Sequence, residues 1–111
     1  MSDQKDDIFQ RVFDVIESRK KADETASYVA SLFRGGSEKI NGKIAEEAGE
    51  VCEAGLGEDK GHLTHEAADL IFHTLVLLSH KGVTLTELRA ELDRRFGVSG
   101  HAEKASRSPK K

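Results

Sequence analysis

HLTHEAADLIFHTLVLLSHK, residues 62–81, is the stretch on which the fold class turns. It is apolar over most of a helical circumference and is closed by Gly82, so it is expected to be the central buried helix. On its C-terminal side Thr84 and Glu87 form a Thr-x-x-Glu capping box, followed by a stripe of Leu85, Leu88, Leu92 and Phe96 before Gly97. On its N-terminal side Ile40, Ile44, Ala48 and Val51 recur at helical spacing behind Ser37 and run out near Gly55 and Gly57. Asn41-Gly42 is a turn signal inside that run, so this helix begins either at Ser37 or near Lys43.

Further back, Thr25 is placed to cap a short helix in which Tyr28, Val29, Leu32 and Phe33 share a side, stopped by Gly35-Gly36. Ile8, Phe9, Val12, Phe13 and Ile16 make a first helix, with Asp6 and Asp7 at its start and Arg19, Lys20 and Lys21 at its end, as the helix dipole favours. Nowhere do β-branched and polar residues alternate over a useful length, and there is no internal repeat. The expected class is all-α, with about five helices. Residues 1–97 are read as a single domain, and VSGHAEKASRSPKK (98–111) as a basic, mobile tail.

Bulk properties narrow the partners. A chain of 111 residues is one domain that buries only about 60–68% of the surface its unfolded form exposes, so self-association would help it. A net charge of -3 gives no broad attraction for nucleic acid or an anionic membrane, so anion binding has to come from local cations or metal ions. The lone cysteine, Cys52, makes neither an internal disulfide nor a multi-cysteine zinc site, and is read as a small packed hydrophobe. No apolar stretch approaches the roughly 20 residues of a membrane span. The N-terminal MSDQKDDIF has no basic region ahead of an apolar core, so the expected location is cytoplasmic.

Two acidic groups carry the chemistry. Projected at about 100° per residue, Lys43, Glu47 and Glu50 fall within an arc of roughly 60° bordering the Ile44 and Val51 stripe, with Glu46 further round. Glu66, Asp69 and His73 share a similar arc of the buried helix, and His62 and His80 fall on it too. Taken alone, Glu46, Glu47, Glu50 and Glu53 read as a solvated charged face. Glu66 and Asp69 sit inside an otherwise apolar helix, where acids are rarely left unpaired, which favours a metal or a buried cation. Like charges 4 Å apart repel by about 4 kcal/mol at an effective dielectric of 20, so two facing pairs call for a cation. Hard oxygen ligands suit Mg²⁺ or Mn²⁺, and Mg²⁺ engages substrate phosphates beside a few carboxylates. His73 is expected to be a satisfied core or supporting histidine, His62, His65 and His80 surface residues, and Tyr28 a core residue with its hydroxyl at the edge.

The pattern Glu46-Glu47-x-x-Glu50, followed by Glu66-x-x-Asp69, resembles the MazG-like all-α nucleotide pyrophosphatases. SYVASLF (27–33), KIAEEAGEV (43–51), HEAADLIFHTLVLL (65–78) and SGHAEKASR (99–107) are similar to the phosphoribosyl-ATP pyrophosphatase family over nearly the whole chain. Ala45 stands where that family has Gly in a KVGEEA-like run. The resemblance implies a helical homodimer in which Glu47, Glu50, Glu66 and Asp69 hold Mg²⁺ on the triphosphate of phosphoribosyl-ATP, a small-molecule nucleotide, releasing pyrophosphate. It makes Glu46 the candidate base and Tyr28 a candidate substrate-binding residue. Lys43, one turn before Glu47, is placed to hold either that carboxylate in a plain i, i+4 salt bridge or a phosphate. Lys104 and Arg107 are candidate substrate-binding residues because each basic side chain suits phosphate. The rivals are a MazG-like pyrophosphatase of other nucleoside triphosphates and a non-catalytic helical module that binds a partner. A di-iron bundle requires Glu-x-x-His on two helices, and this chain offers Glu66-x-x-Asp69 instead.

Overall fold

In the computed structural model, which describes residues 7–97, every helix starts where a side-chain oxygen replaces a missing backbone acceptor. Asp7 accepts from the Gln10 N–H at 2.8 Å to open α1, Ile8–Ser18. Ser27 accepts from the Ala30 N–H at 3.1 Å to open α2, Tyr28–Gly55. Asp59 accepts from the His62 N–H at 3.1 Å to open α3, Lys60–His80. Thr84 and Glu87 complete the expected capping box of α4, Leu85–Phe96, with reciprocal bonds of 3.1 and 2.9 Å. At the end of α3 the Val83 N–H reaches the Leu78 carbonyl at 2.8 Å and the Gly82 N–H that of Ser79 at 3.1 Å. This is a Schellman closure, and it requires the positive φ of 78° that Gly82 supplies.

The described residues are all-helical with four helices rather than about five. The expected second and third helices are one element: Gly35-Gly36 breaks it without ending it. Gly36 takes φ 73°, ψ −170°, and helical backbone resumes at once. The chain continues because both sides of the break have a core to reach, Leu32 before it and Ile40 after it being fully buried. The cap of this element is Ser27, not Thr25, and the backbone stays helical through Asn41-Gly42.

The φ/ψ of Gly36 is open essentially to glycine alone, while a Cβ there meets nothing within 4 Å. Gly36→Ala is therefore expected to cost about 1–3 kcal/mol through backbone strain alone. Gly42, equally open in space but in ordinary helical backbone, is expected to gain up to about 1 kcal/mol from the same change. Thermal unfolding of the two variants checks the opposite signs.

α2 and α3, joined by only Leu56–Asp59, fold back on each other as an antiparallel hairpin. α1 lies against α3. Phe13, Ile16, Leu32, Ile40, Leu75, Val76 and Leu85 form the buried core between them. Arg89 of α4 donates to the Asp7 carboxylate at 3.0 Å and to the side-chain Oε1 of Gln10 at 3.2 Å, tying α4 to the start of α1. Ser79, fully buried, donates to Glu17 Oε2 at 2.7 Å and pins α1 to α3. Among the described residues no helix is long and apolar enough to cross a membrane.

Candidate metal centre

The hairpin sets the middle of α2 against the first half of α3, and thereby faces one acidic group with the other. Glu47, Glu66 and Asp69 each bring a carboxylate oxygen within 4.8 Å of the other two. Glu47 is 6% exposed and Glu66 9%. One oxygen of each, Glu47 Oε1 and Glu66 Oε1, is shut off from solvent with no hydrogen-bond partner among the described residues. Buried polar atoms are nearly always paired, and an orphaned carboxylate oxygen costs several kcal/mol more than a neutral one. Two of them side by side fit a hard cation: the donors are all oxygens, and the ligand count leaves room for water or phosphate.

Glu50 is half-buried at the rim of this cluster. The Glu66 carboxylate beside it, followed by the charges of Glu47 and Glu66, pushes its carboxyl above the ordinary glutamate range. The fourth carboxylate thus adds to the like charge crowded at the cluster, which a proton on Glu50 or a cation would relieve. Glu46 faces outward, with Lys43 Nζ 3.2 Å from its Oε1. Lys43 also lies 3.8 Å from Glu47 Oε2, and the Glu46 carboxylate raises its pKa. His62 and His65, both largely exposed, bring Nε2 to 3.4 Å from Glu66 and 3.5 Å from Asp69, at the outer edge of the centre.

Three other residues depart from or sharpen what the sequence led us to expect. Tyr28 is not a core residue with its hydroxyl at the edge: the residue is 50% exposed and its hydroxyl lies 2.8 Å from Nε2 of the buried His73. As the first residue of α2 it lacks a preceding turn to cover it. Cys52 is exposed rather than packed, because the α2 face that α3 covers passes through Val51 and Ala54 and leaves Cys52 and Glu53 outside. His80 is only half-exposed, its ring 6.0 Å from that of Phe33. The bond between His73 and Tyr28 has no local sequence signal, since the two residues are 45 apart; the one hint is that His73 lies one helical turn after Asp69. Lys104 and Arg107, with the rest of 98–111, lie outside the described residues.

Comparison with known proteins adds an independent line. Residues 9–96 match the family profile described as phosphoribosyl-ATP pyrophosphohydrolase. A protein of Geobacter sulfurreducens named phosphoribosyl-ATP pyrophosphatase is 52% identical over 105 residues, 95% of this chain and 97% of that one. Proteins of the same name from Chromobacterium violaceum and Zymomonas mobilis are 48% and 53% identical, over 93% and 84% of this chain and 95% and 87% of their own lengths.

Proposed function

The chain belongs to the phosphoribosyl-ATP pyrophosphohydrolase family, and from that membership we propose that it hydrolyses 1-(5-phosphoribosyl)-ATP to 1-(5-phosphoribosyl)-AMP and pyrophosphate, the second step of L-histidine biosynthesis, in a Mg²⁺-dependent reaction in the cytoplasm. The observation that carries the metal dependence is the pair of buried oxygens on Glu47 and Glu66 that have no partner among the described residues. Glu47, Glu66 and Asp69, with Glu50 at the rim, are the residues that would hold the ion; Mn²⁺ suits the same donors. When bound, the ion neutralises charge on the triphosphate oxygens and helps orient the reacting groups.

The chain's own residues supply the rest. α2 and α3 hold four carboxylates at fixed separation, so no reorganisation is needed as charge develops on the phosphates. Glu46, outward of the cluster, accepts the proton that the attacking water loses as the α,β anhydride breaks and pyrophosphate leaves. Lys43, between Glu46 and Glu47, orients that base and offers its remaining hydrogens to a phosphate oxygen. Lys104 and Arg107 are assigned to substrate binding on the affinity of basic side chains for phosphate, and truncation after Gly97 is expected to raise KM. Product analysis after incubation with phosphoribosyl-ATP and Mg²⁺ tests the reading. Pyrophosphate and phosphoribosyl-AMP should form only without chelator, and other nucleoside triphosphates should be slower by orders of magnitude. Equal turnover of ATP or dATP would point to the wider superfamily instead.

The active form in this reading is a homodimer. Ile8, Phe9, Ile71, Leu92 and Phe96 are large apolar side chains left exposed. A groove of about 470 Å³ between α1 and α3 is lined by Phe9, Ile71, Phe72 and Asp69 among others. A second copy seated there would bury the apolar face and wall off one side of the acidic centre. Ile71→Asp is expected to yield monomer in sedimentation velocity, with activity lost alongside; an Ile71→Asp dimer would place the interface elsewhere.

A further inference from the structure

His73 is a buried, titratable side chain that the hydrolytic scheme leaves without a role. It is 4% exposed, and both ring nitrogens are engaged: Nδ1 lies 2.9 Å from the Asp69 backbone carbonyl and Nε2 lies 2.8 Å from the Tyr28 hydroxyl. A carbonyl only accepts, so Nδ1 carries the hydrogen. In the neutral ring Nε2 then offers a lone pair, and the hydroxyl of Tyr28 must donate to it. The rings are braced as well, Phe72 meeting His73 edge-on at 5.0 Å and stacking on Tyr28 at 6.5 Å.

We propose that His73 is a positioning residue that fixes the hydroxyl hydrogen of Tyr28 away from the acidic centre, so that Tyr28 presents only oxygen lone pairs to a bound nucleotide and its attacking water. The bond to His73 sets the phenol beside the centre, because His73 Nδ1 is itself held on the backbone carbonyl of Asp69, one of the three clustered acids. A tyrosine hydroxyl has one hydrogen to give and lone pairs to receive. With that hydrogen committed to His73, Tyr28 cannot bond to a phosphate oxygen, and what meets it has to be a donor: the water, or a hydroxyl or amino group of the nucleotide. A phenol free to rotate would instead give its hydrogen to a phosphate and hold the triphosphate off the carboxylates. The inference rests on the pyrophosphohydrolase reading for its consequence, and on geometry alone for the Tyr28–His73 bond.

Tyr28 is the sole tyrosine of the chain and there is no tryptophan, so its spectrum belongs to one residue. The intensity ratio of the tyrosine Raman doublet distinguishes a donating hydroxyl from an accepting or solvated one. In the metal-free wild-type protein it should be that of a strong donor, shift toward the solvated value in His73→Leu, and return in His73→Gln, whose amide oxygen can accept in place of Nε2. A solvated ratio in the wild type, or no change in His73→Leu, overturns the proposal.

The kinetic arm is a double-mutant cycle. Tyr28→Phe and His73→Leu should each lower kcat/KM about tenfold, the worth of one hydrogen bond. The double variant should be no slower than either single one; a loss of about a hundredfold, the product of the two factors, overturns the coupling. If His73→Leu does not fold, His73→Gln set against Tyr28→Phe keeps the test: near wild-type kcat/KM supports the proposal, and a loss equal to that of Tyr28→Phe opposes it. A loss confined to KM in Tyr28→Phe assigns the donor to the nucleotide, and one confined to kcat assigns it to the water. If the wild-type protein does not hydrolyse phosphoribosyl-ATP at all, the functional reading falls while the Raman arm still decides the hydrogen bond.

Discussion

Glu66→Gln is expected to lower kcat at least about a thousandfold, or about 4 kcal/mol in the barrier, and at the same time to raise the melting temperature of the metal-free protein. The two effects share one cause. Glu66 is buried beside Glu47 and Asp69, Glu50 lies against it, and one of its oxygens has no partner among the described residues. Two such charges 4 Å apart repel by about 4 kcal/mol at an effective dielectric of 20. Glutamine keeps the shape, removes one charge and gives its amide hydrogens to the neighbouring carboxylates. Even about 1 kcal/mol of relief would move the melting temperature of a domain this size by roughly 4–8 °C. The metal site would lose a charged ligand in the same step. A merely structural acid predicts the opposite: Glu66→Gln would then leave hydrolysis intact or destabilise the fold. Glu46→Gln is the contrast, because Glu46 faces solvent; its melting temperature should barely move even as its activity falls.

Mg²⁺ itself should stabilise the protein, by about 2.7 kcal/mol at a hundred times its Kd, and this gain should be larger near about pH 8 than near about pH 5. The sign follows from Glu50, whose carboxyl the adjacent Glu66 and the charge of Glu47 hold above the ordinary glutamate value of 4.5. A group with a raised folded-state pKa binds more protons folded than unfolded. Its contribution to the metal-free fold is present at low pH and lost as pH rises through the raised value. A proton on Glu50 competes with the ion, so the stabilisation by Mg²⁺ grows over that same rise. Glu91 titrates in the reverse sense: Arg94, then Arg95, hold its carboxyl down to about 2, so its contribution is complete above the unfolded value of 4.5 and fades as pH falls through about 2. Melting curves with and without Mg²⁺ at the two pH values separate the effects. A Mg²⁺ shift independent of pH would remove Glu50 from the ion's surroundings, and no shift at all would remove the ion.

Local chemistry made most of the helices legible. The Thr84–Glu87 box and the Gly82 closure are short-range features whose geometry follows from residue type, and the structure forms both. The glycine pair at 35–36 is ambiguous for the same reason: the positive φ that glycine allows serves equally to end a helix or to break one. The choice depends on whether Leu32 and Ile40 can both reach α3, which is a tertiary fact. Helical projection could set Glu47 and Glu50 on one arc and Glu66 and Asp69 on another, because both pairs are local. It could not say that Glu47 would be buried and Glu50 half-open, since that depends on the angle at which α3 crosses α2. The exposure of Tyr28 and Cys52 is no more local: Tyr28 opens α2, and Cys52 lies off the face that α3 covers. The bond from Tyr28 to His73, across 45 residues, leaves in the sequence only the one-turn spacing of His73 from Asp69.

An anomalous difference map from crystals grown with Mn²⁺, recorded at the manganese edge, tests most directly whether the facing acids of α2 and α3 form one cation site. A peak about 2.0–2.3 Å from oxygens of Glu47, Glu66 and Asp69 is the predicted result. Saturating Mn²⁺ with no peak among these carboxylates, their orphaned oxygens satisfied instead by water or by a basic side chain, would contradict it.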